Sequence, residues 1–577
     1  KIIFMQEKII EVKTCKHCNS SFEITDKDLE FYEKISPCFA SPSIEGDWGG
    51  VKKYLIPSPT LCPDCRQQRR LSFRNERKIY KRNCDASWKP IISIYSPDKP
   101  YKVYEQSFWW SDKWNPMIFW KNFDFSKSFF EQFNELMREI PVVNIMNRNS
   151  ENSEYTNICA FNKNCYMLVE SSNNENCLNS YWLQNSTNCV DSSFLNNCQN
   201  CYQTIDSTNC NKLFFSQNCL NSTNSYLLKN CTLCNYCIWC EWLKNKEYFV
   251  LNKFVWKKTY ENILKDLNKN IKDIFKDFLN LKNKLAKKYA EIENSENCIW
   301  DYILSSKNCI NCFEINDVKD CKNSVHVLIN SSDCYDVDTV WLNSNLIYES
   351  INTAIDCQKN IFCVRCWSCN NLAYCNNCDY SSNLFGCIWL RNKSYCILNK
   401  QYSKEEYESL VPKIIEHMQK TWEWWEFFPS SISPFWYNET VAEEYFPLSK
   451  NEALEKWFNW SDYESPFPKV DKIIKASLLP DNISDIPDDI LNWAIECEVS
   501  GKPFRIVRAE LEFYKKHSLP IPKRHPDQRH LDRLGLRNPR KLFDRICDKC
   551  GKSIKTTYSP GWKEIVYCES CYEKVVY

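Results

Sequence analysis

The chain has 577 residues, 43% of them hydrophobic and 25% charged, with a formal net charge of +1; a chain this long forms several cores in about three or four domains. No apolar run approaches the roughly 18 residues of a membrane helix, and the opening KIIFMQEKIIEVKTCKHC is charged where a signal peptide is apolar, which predicts a cytoplasmic protein with no membrane partner. In that compartment the 36 cysteines read as reduced thiols and metal ligands, with a disulfide framework as the lesser alternative.

Glycine is scarce, 8 residues against 22 tryptophans, where a glycine share of about 7% is usual. Internal repeats set Trp88 opposite Gly551 and Trp239 opposite Gly386. Some tryptophans are therefore expected to stand where the native protein carries glycine, through UGA codons that its source reads as glycine.

In chain order, residues 1–110 read as a tandem of zinc ribbons. CKHC (Cys15, Cys18) and CPDC (Cys62, Cys65) supply two thiolate pairs, each able to take adjacent corners of a zinc tetrahedron. The trailing half keeps Cys84 but has Ser87, Glu105 and Phe108 at the other ligand positions. The stretch from Cys15 to Arg66 resembles the bacterial "probable zinc-ribbon domain" family over about residues 13–70: the two C-x-x-C pairs, Phe22, Ile24, Glu30, Phe31, Tyr32 and the closing Arg66 match its pattern, with a longer insert between the pairs. That resemblance implies a zinc-bound ribbon of unsettled biochemical role. The whole layout is also similar to a group of uncharacterised Cys-rich bacterial proteins, some labelled as coenzyme-A transferases, a label that no residue constellation here supports.

Residues 111–150 form a helical connector, with a helix over about 128–139. Solenoid I (151–254) follows. Cys177, Cys198, Cys219 and Cys240 recur every 21 residues, as do Cys189, Cys210 and Cys231 between them, and asparagine precedes most of them. A fixed period with short β-prone runs such as SYWLQ predicts a parallel β-solenoid with one coil per 21 residues, cysteines filling the interior and asparagines laddered at the corners. The C-x-x-C-x-x-C runs at Cys234, Cys237 and Cys240 and at Cys363, Cys366 and Cys369 could instead chelate metal.

An amphipathic helix is expected over 255–294, its apolar stripe running from Tyr260 to Leu285. Solenoid II (295–402) copies solenoid I at a constant offset of 147, CEWLKNKEYFVLNK against CIWLRNKSYCILNK. A second helix (403–421) opens on the capping box SKEE, with Pro412 inside it, and 422–490 is a connector rich in Trp and Pro. Residues 491–577 repeat the ribbon tandem in reverse. Cys497 and His525 remain of a degenerate site with Ser500 and Gln528, followed by a complete set of Cys547, Cys550, Cys568 and Cys571. The fold expected is mainly β: two duplicated solenoids flanked by ribbon tandems, carrying two Zn²⁺ per chain.

Basic residues gather beside both tandems: Arg66, Arg69, Arg70 and Arg74, then Arg529, Arg533, Arg537 and Arg540. Arginine beside a zinc ribbon can present a cationic face to phosphates, and Phe31 and Tyr32 could stack on unpaired bases. The functional expectation is a non-catalytic zinc protein binding RNA or ribonucleoprotein through these modules. The alternatives are a protein-interaction scaffold with a protein partner, and a β-helix carbohydrate-active enzyme or metal- or thiol-based activity in the solenoids. Asp333, Asp336 and Asp338 are the acids nearest to an enzymatic cluster and read as surface loop acids.

Overall fold

The structure, a computed structural model, describes residues 7–40, 51–269, 286–467 and 469–576. It is mainly β, dominated by solenoid coils of which there are about 19. In solenoid I each strand pairs in parallel with the segment 12 residues on: Tyr181 with Ser193, Ser193 with Ile205, Cys219 with Cys231. Isolated bridges at the same interval fill the spaces between strands.

The coil is therefore 12 residues long, and the expected 21-residue coil is corrected. The reason is a shorter unit. From Ile158 to Leu251 every third residue lies in the left-handed region, with φ between +47° and +62°. The backbone turns a corner every three residues, and four triplets close one coil. An interval of 21 is seven triplets, which moves an inward cysteine to a different side of a later coil and not along one column.

The residue after each corner points inward. Cys165, Cys177, Cys189 and Cys201 stack in one column, continued by Leu213, Ser225 and Cys237, and all seven are buried. The Cys177 thiol donates within the coil to Glu175 O (3.4 Å) or Ser186 O (3.5 Å). Serine hydroxyls on other sides accept amides from the next coil, as Ser171 Oγ does from Leu183 N at 2.9 Å. Asparagine suits the corner because its short polar side chain tolerates the left-handed region. Corner side chains then ladder along the axis, Asn197 Nδ2 to Asn209 Oδ1 at 2.8 Å and Asn209 to Asn221 at 3.0 Å.

Solenoid II is one ten-stranded sheet. Its coil widens to 13 residues where Ser332 pairs with Asn345 and Asn345 with Gln358, then returns to 12 at Gln358–Asn370. The large aromatic core lies against this solenoid. Helix α3 (Phe129–Glu139) and helix α5 (Lys404–Lys420) pack on it, both where expected; Ser128 caps α3, and Ser403 and Glu406 complete the capping box of α5. Between the solenoids, helix α4 spans Lys257–Lys269. The expected helix to 294 is corrected at its end: Lys287–Lys288 is a strand paired with Val566–Tyr567, and the intervening stripe residues lie outside the described residues.

The end modules cross over. In the first, helix α1 (Asp26–Ile35) docks on solenoid II, the Phe31 ring stacked on Tyr335 with centroids 3.8 Å apart. Helix α2 (Pro63–Leu71) follows it. In the last, helix α6 (Arg508–Lys516) docks on solenoid I, where Tyr202 meets Phe513 and Tyr514, and helix α7 (Pro526–Leu534) lies beside it. The leading ribbon of each tandem thus closes on the solenoid more distant from it in sequence.

Candidate metal centres and the arginine interface

All four ribbons begin with the same tight turn. The amide four residues after the leading cysteine returns to that cysteine's carbonyl: Asn19 to Cys15 (3.0 Å), Trp88 to Cys84 (2.8 Å), Gly501 to Cys497 (3.0 Å) and Gly551 to Cys547 (2.9 Å). The closing residue has φ of +59°, +59°, +67° and +71° in turn. This knuckle folds the two cysteines of a C-x-x-C pair back toward one point, and a hairpin such as Ile9–Thr14 with Ser21–Thr25 braces it.

Two knuckles are completed by a second pair. Cys15, Cys18, Cys62 and Cys65 have their sulfurs within 4.8 Å of one another, as do Cys547, Cys550, Cys568 and Cys571. Cys18 and Cys62 Sγ are 3.6 Å apart, Cys550 and Cys568 Sγ 3.7 Å. A tetrahedron of thiolates about 2.3 Å from a zinc ion has edges of roughly 3.8 Å, whereas a disulfide needs about 2.05 Å. The sulfurs are therefore spaced to share a metal ion. In each set one thiol is drawn toward thiolate while a neighbouring thiol, Cys65 or Cys571, is pushed the other way. A hydrogen bond from the Cys65 thiol, helped by the Cys65 amide and Cys18, outweighs burial and draws Cys62 down to about 5. At the other end burial is the largest influence on Cys547, but the amides of Cys568, Cys550 and Lys549 overcome it and bring the thiol to about 6.

The other two knuckles keep their shape by amide donors. Cys84 Sγ accepts from Ser87 N (3.4 Å) and Glu105 N (3.2 Å), and Cys497 Sγ from Ser500 N (3.4 Å). Among the described residues no set of three or more metal-capable groups forms at either, nor along the C-x-x-C-x-x-C runs of the solenoids. Cys234, Cys237, Cys240, Cys363, Cys366 and Cys369 are core thiols, none more than 1% exposed.

The eight arginines are not a cationic face, and that expectation is corrected. Arg66 grips Asp336 with two bonds (2.9 and 2.8 Å). Arg70 Nε donates to Asp338 (3.0 Å), and Arg69 bridges Glu349 (3.1 Å) and Glu426 (2.6 Å). Arg74 reaches past solenoid II to Glu170 of solenoid I and pairs with Glu76. At the other end Arg529 pairs with Asp191 and Glu510, and Arg533 with Asp191 at 3.3 Å. Arg537 holds Asp206 of solenoid I (3.1 Å) together with Glu314 of solenoid II, and Arg540 adds a bond to Glu314 at 3.2 Å. No side chain of the eight is more than 11% exposed. A guanidinium this deep requires a carboxylate partner, and the solenoids supply one each time.

Phe31 and Tyr32 are likewise buried, 4% and 3% exposed, between the ribbon and solenoid II, so neither ring is open to a base. Asp336 and Asp338, expected as surface acids, are 0% and 2% exposed; Asp333 binds Lys34 at 2.8 Å. What the sequence reading missed are the partner acids Glu170, Asp191, Asp206, Glu314 and Glu349. They had a signal. All five, with Asp336, sit at left-handed corners where asparagine otherwise stands, so an acid in an asparagine register marks a docking point.

No family model matches this chain, and no curated protein does. Five chains among the solved structures match. One is a crystal structure of a protein named as an acetyltransferase from Desulfovibrio desulfuricans G20, 9% identical over 45% of this chain and 68% of that one, with a TM-score of 0.10, a likeness too slight to carry an argument. Among the described residues, no helix is long and apolar enough to cross a membrane.

Proposed function

We propose that the chain is a non-catalytic zinc protein, with one zinc ion at Cys15, Cys18, Cys62 and Cys65 and another at Cys547, Cys550, Cys568 and Cys571, and that it serves as a protein-interaction scaffold. The observation that carries this is the placement of the arginines: the basic helices beside the ribbons spend their charge on solenoid carboxylates and lock two solenoids into one body. The first zinc steadies α2 at its start, because Cys62 stands at the helix's N-cap position and Cys65 immediately precedes Arg66. The ion's chemistry here is structural, since four thiolates leave it no open position. What remains for a partner is the outer surface of the coils, with its regular asparagine corners.

Two observations weaken the competing expectations. The arginines and rings assigned to RNA are occupied, and the acid trio assigned to glycan chemistry is held by Arg66, Arg70 and Lys34. The test is binding by the zinc-loaded full chain to structured RNA across a salt series. Absence of salt-dependent binding is expected. Tight binding with a steep dependence on salt would restore the nucleic-acid reading.

A further inference from the structure

One half-buried cation of solenoid II has no acid against it. Arg365 sits at a corner of solenoid II, its amide bonded to Ile351 O at 3.0 Å. Its guanidinium makes no hydrogen bond or ion pair with any described side chain, unlike those of the eight arginines above. It borders a cavity of about 20 Å³ where the degenerate N-terminal ribbon, α3, solenoid II and the connector meet. Phe73 and Phe435 give that cavity apolar walls, and no carboxylate lines it. Glu76 and Glu170 act on Arg365 from farther off, and both are taken by Arg74.

Two further donors share the space. Tyr95 and Tyr101 line the cavity, 5% and 8% exposed, and neither hydroxyl has a partner among the described residues. Tyr95 is close enough to Arg365 and to Tyr101 for both to act on its phenol. A guanidinium and two phenol O–H groups thus line one cavity in which no carboxylate answers the cation, an arrangement that is costly for a desolvated charge. The volume admits one small occupant.

We propose that this cavity is an anion site for a single monatomic anion of the halide class, held by Arg365 and the Tyr95 and Tyr101 hydroxyls. The anion supplies the negative charge that carboxylates supply to the eight clamp arginines, and it fastens the zinc-less second ribbon to solenoid II. The rival occupant is water, which Asn377 Oδ1, a buried acceptor lacking a donor, would suit.

The experiment compares the zinc-loaded full chain in sodium bromide, sodium chloride and sodium gluconate at fixed ionic strength. A saturable rise in Tm is expected with either halide and not with gluconate. Arg365→Met should abolish that rise, and Tyr95→Phe should weaken the apparent halide affinity by about tenfold, the loss of one hydrogen bond to a charged group. Crystals grown in bromide should show an anomalous peak beside Arg365. Identical melting in all three salts, a halide response that survives Arg365→Met, or a water at that position in bromide would overturn the proposal. Should Arg365→Met fail to fold, Tyr95→Phe and the bromide peak still decide it.

Discussion

Arg66 and Asp336, 270 residues apart in sequence, meet in a two-pronged ion pair with 2% and 0% of their side chains exposed. Arg529 and Asp191 make the equivalent contact at the other end of the molecule, 4% and 0% exposed. In both, a helix that opens a ribbon's second ligand segment inserts its first arginine into an acidic corner of the far solenoid.

Removing one partner of the Arg66–Asp336 pair leaves a core charge with only a longer contact, Arg66 to Glu349 at 3.8 Å or Asp336 to Arg70 at 3.9 Å, and costs up to about 3–5 kcal/mol. Asp336→Asn and Arg66→Met should each lower stability by that order in urea unfolding of the full chain. The double replacement Arg66→Met with Asp336→Leu should recover most of the loss. A loss in the double variant equal to the sum of the two single losses would mean that the pair has no mutual energy.

Metal content should follow the geometry site by site. Cys62→Ser and Cys568→Ser should each reduce zinc from two ions per chain to one. Cys84→Ser, Cys497→Ser and Cys366→Ser should leave it at two, because their sulfurs belong to no four-thiol set. Plasma emission analysis of the purified variants reads this directly. Removal of zinc from the first site should also speed tryptic cleavage at Arg66 to Arg70, since Cys62 and Cys65 stand at the N-cap and in the first turn of α2.

Three exposed tryptophans occupy conformations that suit glycine. Trp422 follows the C-cap Thr421 of α5 and Trp457 the C-cap Lys456 of the short helix Lys450–Glu455, both with φ of +63°, and Trp88 closes a ribbon knuckle where Gly501 and Gly551 stand in two of the other three. They are 74%, 80% and 76% exposed, so no packing offsets the left-handed backbone, which costs an L-residue about 1–2 kcal/mol. Glycine is expected at these positions in peptides from the native source, by mass spectrometry. In the recombinant chain Trp457→Gly should raise stability by about 1 kcal/mol. Tryptophan in the native peptides would refute the recoding.

His530 gives the clamp an acid-sensitive joint. Burial, then Arg77, hold it down to about 4, although Glu444 at 3.4 Å pulls the other way. A base whose folded value is depressed below the ordinary one near 6.5 stays neutral in the fold while the unfolded chain takes up a proton. Stability is therefore lost as pH falls from about 6.5 to 4, by on the order of 3 kcal/mol for this group. His530→Gln should flatten the stability profile by one proton across that window. An unchanged slope would show that His530 titrates alike in both states.

The ribbons were legible because their chemistry is local: C-x-x-C at Cys15 and Cys547, with a second pair downstream, leaves few arrangements. Solenoid and asparagine corners were legible from periodicity, but the period chosen, 21, was a multiple of the three-residue unit and not the coil. Cys177 and Cys198 share an interval without sharing a column, whereas Cys177 and Cys189 stack. The arginines were misread because burial of charge is a property of pairs. Arg66 is a surface residue by type and becomes a core residue only when Asp336 is brought to it, across a distance that sequence neighbourhood does not encode. The acids at asparagine corners were the missing half of that pattern.

The measurement that tests the clamp most directly is hydrogen exchange of the zinc-loaded full chain, followed in residues 63–71 with 335–349 and in 526–534 with 189–206. If the arginine helices are locked to the solenoids, each helix and its facing coil should exchange slowly and with one shared opening free energy. If the helices instead exchange rapidly, as short surface helices do, while the solenoids stay protected, the arginines are free in solution and the central claim fails.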